Sequence, residues 1–381
     1  MNRIKITFDG IEYFAIQGIS ATHSISRNIA LKEVSISAAS MQVTFKDFLI
    51  ILNKKGVMLA SVYVNDKLYI QNYINHSSFG YKDTPSGGTQ IKINISDRFV
   101  ALVESDIFET QVNEKSNFQS FLGNILSELK FDDPRYINNY KNKIKKAKDL
   151  IVNGQSIEYN LKIKSIKNRK DLLGQSVMKV ISESLMLSKV FLISNGFDRL
   201  TLEKPSSDKI PVFNIVRKNN QSNIEYSQKT DVSQGRPTPF RNIILNSNSK
   251  ASKSDNNQAV VINNLGGLPH IQKIKTLSTE LSYREIVDSI DQEFAGMKAR
   301  DNSYLYKIPH NIFDLNGNFI RPNQSIRVLD DKYGIDAIMS VLQVRFSFDP
   351  TNGSELILNL TPKRTFIENK NIKQQKNKMT Q

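Results

Sequence analysis

Between residues 3 and 95 the chain passes through short segments in which apolar and polar residues alternate, and this pattern limits the fold more than any other feature. The first two, residues 3–8 and 11–16, flank Asp9-Gly10. Asp-Gly between alternating runs predicts a tight hairpin, because both turn positions demand positive φ. Further β-like runs cover residues 19–25, 33–37, 42–52, 57–64, 68–74 and 89–95. Strands in such number with no helix between them predict an antiparallel barrel or sandwich. Residues 1–112 are therefore expected to form an N-terminal β-barrel domain.

At Ser116 the period changes. Phe118, Phe121, Leu122, Ile125, Leu126 and Leu129 fall on one helical stripe, and Ser116 with Gln119 makes a capping-box pattern at its start. A second helix is predicted over residues 172–188, with Asp171 as N-cap and Leu173, Val177, Val180, Ile181 and Leu185 on its apolar face. Residues 190–194 and 199–203 around Asn195-Gly196 predict another hairpin. Residues 113–207 are thus expected to be an α+β domain inserted between β regions. Residues 208–250 are connecting strands and loop, including the apolar run 210–216 and the start of an Asn- and Ser-rich stretch, 242–257, predicted to be a loop.

Residues 251–365 predict a second small β-barrel domain with one helix, which starts at Ser282 and carries Glu285 as its capping-box partner. Strands are expected over residues 304–308, near Phe319, and over 326–329, 339–348 and 355–360. A weak internal repeat links residues 62–96 to 326–361, since each runs strand, hairpin, strand with a Gly-containing turn at Gly87-Gly88 or Gly353. The fold class expected is β-rich α+β: two small antiparallel β-barrel domains with an α+β domain inserted.

Candidate chemistry is sparse. The chain of 381 residues has no cysteine, which excludes disulfides, thiolate nucleophiles and Cys-ligated metal sites. His23, His76, His270 and His310 lack metalloprotease spacing. Ser86-Gly87-Gly88-Thr89 lacks the lysine and following helix of a phosphate cradle. Gly174-Gln175-Ser176-Val177 is no nucleophile elbow and is expected inside a helix. Asp132-Asp133 and Asp330-Asp331 could supply an acid and a base, but adjacent carboxylates on turns are expected to face solvent. The catalytic, cofactor and metal sets are all expected to be empty, and the protein is expected not to be an enzyme. No apolar run approaches the roughly 18 residues of a membrane span, and neither a signal peptide nor membrane insertion is expected.

The formal net charge of +15 raises nucleic acid as a partner, yet the charge is local. Residues 135–170 carry 11 Lys and Arg against Asp149 and Glu158, and residues 363–381 carry 6 against Glu368. The first segment predicts a solvated basic face. Residues 366–381 predict a disordered basic tail. Specific nucleic-acid binding is not expected. It remains the main alternative function, through the 135–170 segment, with a tail-associated peptidoglycan hydrolase as a third.

The order of elements resembles the baseplate hub proteins of contractile-tailed phages, the Mu-type hub and late-control D family. Phe8-Asp9-Gly10-Ile11-Glu12-Tyr13 and Ile25-Ser26-Arg27-Asn28-Ile29-Ala30 are similar to its opening hairpin and following strand, and residues 64–73 to its next hairpin. Ser184-Leu185-Met186-Leu187 with residues 190–202 resembles its helix and Gly-centred hairpin. Asp314-Leu315-Asn316-Gly317-Asn318-Phe319-Ile320-Arg321-Pro322-Asn323, Ile326-Arg327-Val328 and Asn352-Gly353-Ser354 resemble its C-terminal barrel. The family often carries Trp near the first hairpin and before the last strands. This chain has Ile16-Gln17-Gly18-Ile19 at the first place and no Trp anywhere.

The resemblance spans residues 3–366 and covers both phage tails and tail-like particles. It implies a homotrimer that joins a sixfold tail tube protein to a threefold central spike protein, touches other baseplate proteins and forms part of the ejection conduit. The location it implies is the virion tail baseplate, assembled in the bacterial host cytoplasm. Residues 113–207 are then expected outside the ring, and Lys141, Lys143, Lys145, Lys146 and Lys148 away from the central channel.

Overall fold

The computed structural model describes residues 3–13, 16–26, 28–39, 43–83, 89–107, 118–129, 150–153, 174, 176–205, 210–219, 221–229, 242–247, 258–262, 272–277, 303–309, 313–349 and 353–362. The N-terminal region carries β1 (Ile4–Phe8), β2 (Ile11–Tyr13), β3 (Ile16–Ser26), β4 (Ile29–Ala39), β5 (Met58–Val64), β6 (Lys67–Ile74), β7 (Phe79–Asp83) and β8 (Thr89–Ser96). They form two runs, β2-β1-β5-β6 and β7-β8-β4-β3. The runs are linked at both ends by the chain itself, β2 leading to β3 and β6 to β7. Asp9 and Gly10 hold φ of 48° and 86° and close the β1–β2 hairpin between Phe8 and Ile11, as a mirror-image turn requires. Asn65 and Asp66, at 50° and 61°, do the same between β5 and β6.

One element departs from the sequence pattern. Residues 42–52 read as β-like, yet Val43–Lys55 is an α-helix. Phe45, Phe48, Leu49 and Leu52 recur at i, i+3, i+4 and i+7, and that helical period wins over the apolar run it lies in. Leu52 is fully buried on the stripe while Ile50 off it is exposed.

The middle region holds the helices Phe118–Glu128 and Val177–Leu187, with β9 (Ile151–Asn153), β10 (Phe191–Ser194) and β11 (Leu200–Glu203). The helical stripe predicted from residue 118 is the buried one: Phe118, Phe121, Leu122, Ile125 and Leu126 are each at most 1% exposed. Gly174 and Ser176 precede the second helix, and Ser176 bridges to Asp106, so neither lies inside a helix as expected. The β10–β11 connection is a five-residue loop and not a two-residue turn. Asn195 Oδ1 accepts the N–H groups of Phe197, Asp198 and Arg199 and rounds the chain off by itself.

The C-terminal region contains β12 (Phe213–Lys218), β13 (Gln221–Ser222), β14 (Tyr226–Lys229), β15 (Asn242–Ser247), β16 (Gln258–Ile262), β17 (Gln272–Leu277), β18 (Tyr304–Pro309), β19 (Ser325–Asp330), β20 (Ile335–Asp349) and β21 (Gly353–Pro362). β15, β16 and β17 make a separate three-stranded sheet, so Asn242–Ser247 is a strand where the Asn content suggested a loop. The pairs run β13-β12-β19-β20-β21-β18-β14, a path whose two ends are neighbours in sequence. Among the described strands no ladder joins β13 to β14, and no closed barrel forms. The helix expected from Ser282, the segments 131–149 and 154–170, and the tail 366–381 lie outside the described residues.

The N- and C-terminal regions meet in one sheet. β20 pairs antiparallel with β3 over six positions, from Gln343↔Ser24 to Phe348↔Ile19. Ile19, Ala21, Val344 and Phe346 are buried along this line, and one apolar core continues from Ile6, Phe8 and Val62 through Ile36 and Ile93 to Val328, Phe346 and Leu358. Where β6 and β7 are separated by the 3₁₀ turn His76–Ser78, β20 is one strand of 15 residues with a bulge between Val341 and Gln343.

Candidate functional site: a polar seam between two cores

A second apolar core lies beside the first. It gathers Phe118, Phe121, Leu122, Ile125, Val177, Ile181, Leu185, Leu192 and Leu202 of the middle region around Ile29, Phe99, Leu102 and Ile107. Among the described residues, hydrogen bonds and ion pairs span the line between the two cores.

Lys32 stands at their meeting point. In β4 the inward positions are Ala30, Lys32, Val34 and Ile36, so strand alternation carries the lysine into the interior, where it is 5% exposed. Its Nζ donates to the carbonyls of Tyr69 at 2.8 Å and Asn195 at 2.7 Å and lies 4.2 Å from the centre of the Tyr69 ring. Two carbonyls and an aromatic face satisfy the three N–H groups of an ammonium. Phe319 packs edge-on against Tyr69, with ring centres 5.0 Å apart.

Asp97, fully buried just after β8, binds both sides. Its carboxylate accepts the N–H groups of Lys32 and Phe99, each at 3.0 Å, and the hydroxyl of Ser194 at 2.9 Å. Gly196 then donates its N–H to Ser194 Oγ and accepts from the N–H of Gln71. On the other flank Glu203, at the end of β11, accepts from Arg321 Nη2 at 2.6 Å and from Asn323 Nδ2 at 3.0 Å. All three regions therefore converge here: Lys32, Tyr69 and Asp97 from the first, Ser194, Asn195 and Glu203 from the second, Phe319, Arg321 and Asn323 from the third.

Burial pulls the Lys32 ammonium down to about 7, against the pull of Asp97 and with help from the charge of Arg321. Burial raises Asp97, while the bonds from Phe99, Lys32 and Ser194 and the Lys32 charge hold it back. Burial also lowers His23, with the charges of Lys32 and Arg321 adding to the fall, and its Nε2 has no hydrogen-bond partner. From about pH 7 to 10.5 the folded form thus binds fewer protons at Lys32 than the unfolded chain, so stability rises as pH rises through that window. Below 6.5 His23 acts with the same sign, and stability falls as pH falls. Unfolding in urea should show stability increasing by about 2 kcal/mol from roughly pH 7 to 9. Lys32→Met should abolish that increase; an unchanged slope in the variant would show that Lys32 does not titrate in this way.

A further ion pair corrects an expectation. Asp330 does not face solvent. It is fully buried and takes Arg217 Nε and Nη2 at 2.7–2.9 Å. Asp331 beside it is exposed. His23 is buried at the β3–β20 line and His76 is exposed. His270, His310, Asp132, Asp133 and the five lysines between residues 141 and 148 lie outside the described residues. Among the described residues no cluster of His, Asp or Glu could hold a metal ion, and no helix is long and apolar enough to cross a membrane.

No family model and no curated protein matches the sequence. Solved structures do match, end to end. The tail protein from Neisseria meningitidis MC58 superimposes with a TM-score of 0.68 at 14% identity, over 96% of this chain and 98% of that one. The fold is one shared with a tail protein. The 43 kDa tail protein of prophage MuSo2 from Shewanella oneidensis gives 0.65 at 13% identity, over 96% and 99%. A component of the E. coli type VI secretion system, described as similar in structure to T4 bacteriophage tail proteins, gives 0.50 at 7% identity, over 94% and 76%. At such identities the likeness is one of fold.

Proposed function

We propose that the chain is a structural, non-catalytic protein of a phage tail or tail-like particle and serves as its baseplate hub. The observation that carries this reading is the end-to-end match to tail proteins, with 96% of this chain and 98% of the Neisseria chain covered. In this reading residues 1–112 and 251–365, the latter completed by β12, β13 and β14 from the connecting segment 208–250, act as two small barrel-like bodies, joined along β3 and β20 and flanked by the α+β domain at 113–207. Three chains then present six such bodies to a sixfold tail tube protein and three equivalent surfaces to a central spike protein. Cyclic closure of this kind leaves no open contact to propagate. Other baseplate proteins bind around the ring, within the virion, after assembly in the host cytoplasm.

The two sheet regions support the reading in detail. In the first, both ends of each strand run are tied by chain connections, and in the third the ends β13 and β14 adjoin in sequence. Among the described strands β7 and β14 each carry a single ladder, and their other edges are positions where neighbouring chains could pair. Light scattering of the purified protein should give a particle of three times the 43.3 kDa chain mass, and mixing it with its tube and spike proteins should give a heavier complex that holds three copies of this chain. A chain that stays monomeric or dimeric at every concentration with both partners present would overturn the hub reading.

A further inference from the structure

We propose that the polar seam is a release line, along which the middle region separates from the two β regions as one body when the Lys32–Asn195 and Arg321–Glu203 contacts open. The body comprises the helices Phe118–Glu128 and Val177–Leu187, the β10–β11 hairpin and residues 98–107. The inference rests on contacts within this chain and does not depend on the tail reading.

The distribution of apolar contact carries it. Among the described residues, none of 113–207 belongs to the core that runs through the β regions, and none beyond 207 belongs to the core of the middle region. Among the described residues the apolar contact across the line is a cluster of Ala30, Phe191 and Ile193, with Ile29 and Leu31 of β4 reaching into the edge of the middle core. The backbone ladder there is short as well, two parallel pairs, Leu192↔Ile29 and Ile193↔Ala30. What remains is ionic and hydrogen-bonded: Lys32 to Asn195, Ser194 to Asp97, Asn28 to Val190 and Leu192, Gln71 to Gly196, Arg321 and Asn323 to Glu203.

A seam meant to be permanent would be better served by apolar side chains, since buried ions commonly contribute no more than a hydrophobic replacement of the same size. Polar interfaces between parts of one chain are the ones that permit relative motion. The residues 98–107 belong to the moving side because Val177 donates its N–H to Ser105 O and Ser176 bridges to Asp106. The groups facing Lys32 are His23 from β3, Tyr69 from β6, Asp97 after β8, Asn195 after β10 and Arg321 from the C-terminal loop. The charge states of Lys32 and His23 make the hold weaker as pH falls from 9 toward 6.

Hydrogen exchange read by mass spectrometry on the full chain tests this. Lys32→Ala leaves the Tyr69 and Asn195 carbonyls without their donor, and Glu203→Gln removes the charge that holds Arg321. In each variant amide protection over residues 118–128 and 177–203 is expected to fall at least tenfold, while protection in β19, β20 and β21 stays within about twofold of the parent. The parent protein should show the same selective loss on moving from pH 9 to 7, after correction for intrinsic exchange. Equal loss over both cores, or no loss over 177–203 in either variant, would overturn the release line. Should Lys32→Ala not fold, Glu203→Gln alone decides.

Discussion

Asp97→Ala is expected to lower the free energy of unfolding by about 3–5 kcal/mol. The carboxylate is fully buried and accepts three hydrogen bonds, from Lys32 N–H, Phe99 N–H and Ser194 Oγ. Alanine leaves all three donors facing a void in an interior that water does not reach. Buried donors left without an acceptor are among the most costly single changes in a folded protein. Asp97→Asn keeps one oxygen as acceptor but turns the other into a donor facing Lys32 N–H or Ser194. It should therefore recover less than half of the loss. Urea unfolding at pH 7.5 followed by circular dichroism measures both, and an Asp97→Ala protein within about 1 kcal/mol of the parent would refute the role given to the carboxylate.

Gly196→Ala should cost about 2–4 kcal/mol, several times the cost of Gly174→Ala. Both glycines sit at positive φ, 93° and 73°. A Cβ on Gly174 meets nothing within 4 Å, whereas one on Gly196 would stand 2.8 Å from both the Tyr69 carbonyl oxygen and Lys32 Cδ. The carbonyl is backbone and cannot swing away, and the lysine stem is fixed by its two carbonyl acceptors. Gly174→Ala thus measures the backbone strain alone, about 1 kcal/mol, and the difference between the variants measures the close approach. Equal melting temperatures for the two would mean that the Asn195 loop can move off Lys32 freely.

Much of the fold was legible in the alternation of the sequence. The hairpin at Asp9-Gly10, the strands 57–64, 68–74, 89–95 and 355–360, and the helical stripe from Phe118 all lie where periodicity put them. The β-rich, tail-protein-like architecture follows from those elements. What misled was local composition: Val43–Lys55 looked like strand because its apolar residues are dense, and Asn242–Ser247 looked like loop because of its asparagines.

The seam was only half visible. Strand parity puts Lys32 on the face of Ala30, Val34 and Ile36, His23 on that of Ile19 and Ala21, and Asp330 on that of Ile326 and Val328. A charged residue at an inward position is a sequence-level signal of a buried polar contact. Its partner is not, because Asn195, Glu203 and Arg321 lie more than a hundred residues away and reach Lys32 or each other only through tertiary packing.

The six-pair line between β3 and β20 also makes the relation between the two β regions discrete. Side chains on a strand alternate, so sliding β3 by one residue along β20 would turn Ile19, Ala21 and His23 outward and bring Ser20, Thr22 and Ser24 into the core. The next register that keeps the apolar face inward lies two residues along, about 7 Å away. Thermal motion can flex this joint but cannot ratchet it by small steps, and any assembly built on the chain inherits a fixed gauge between its two β halves.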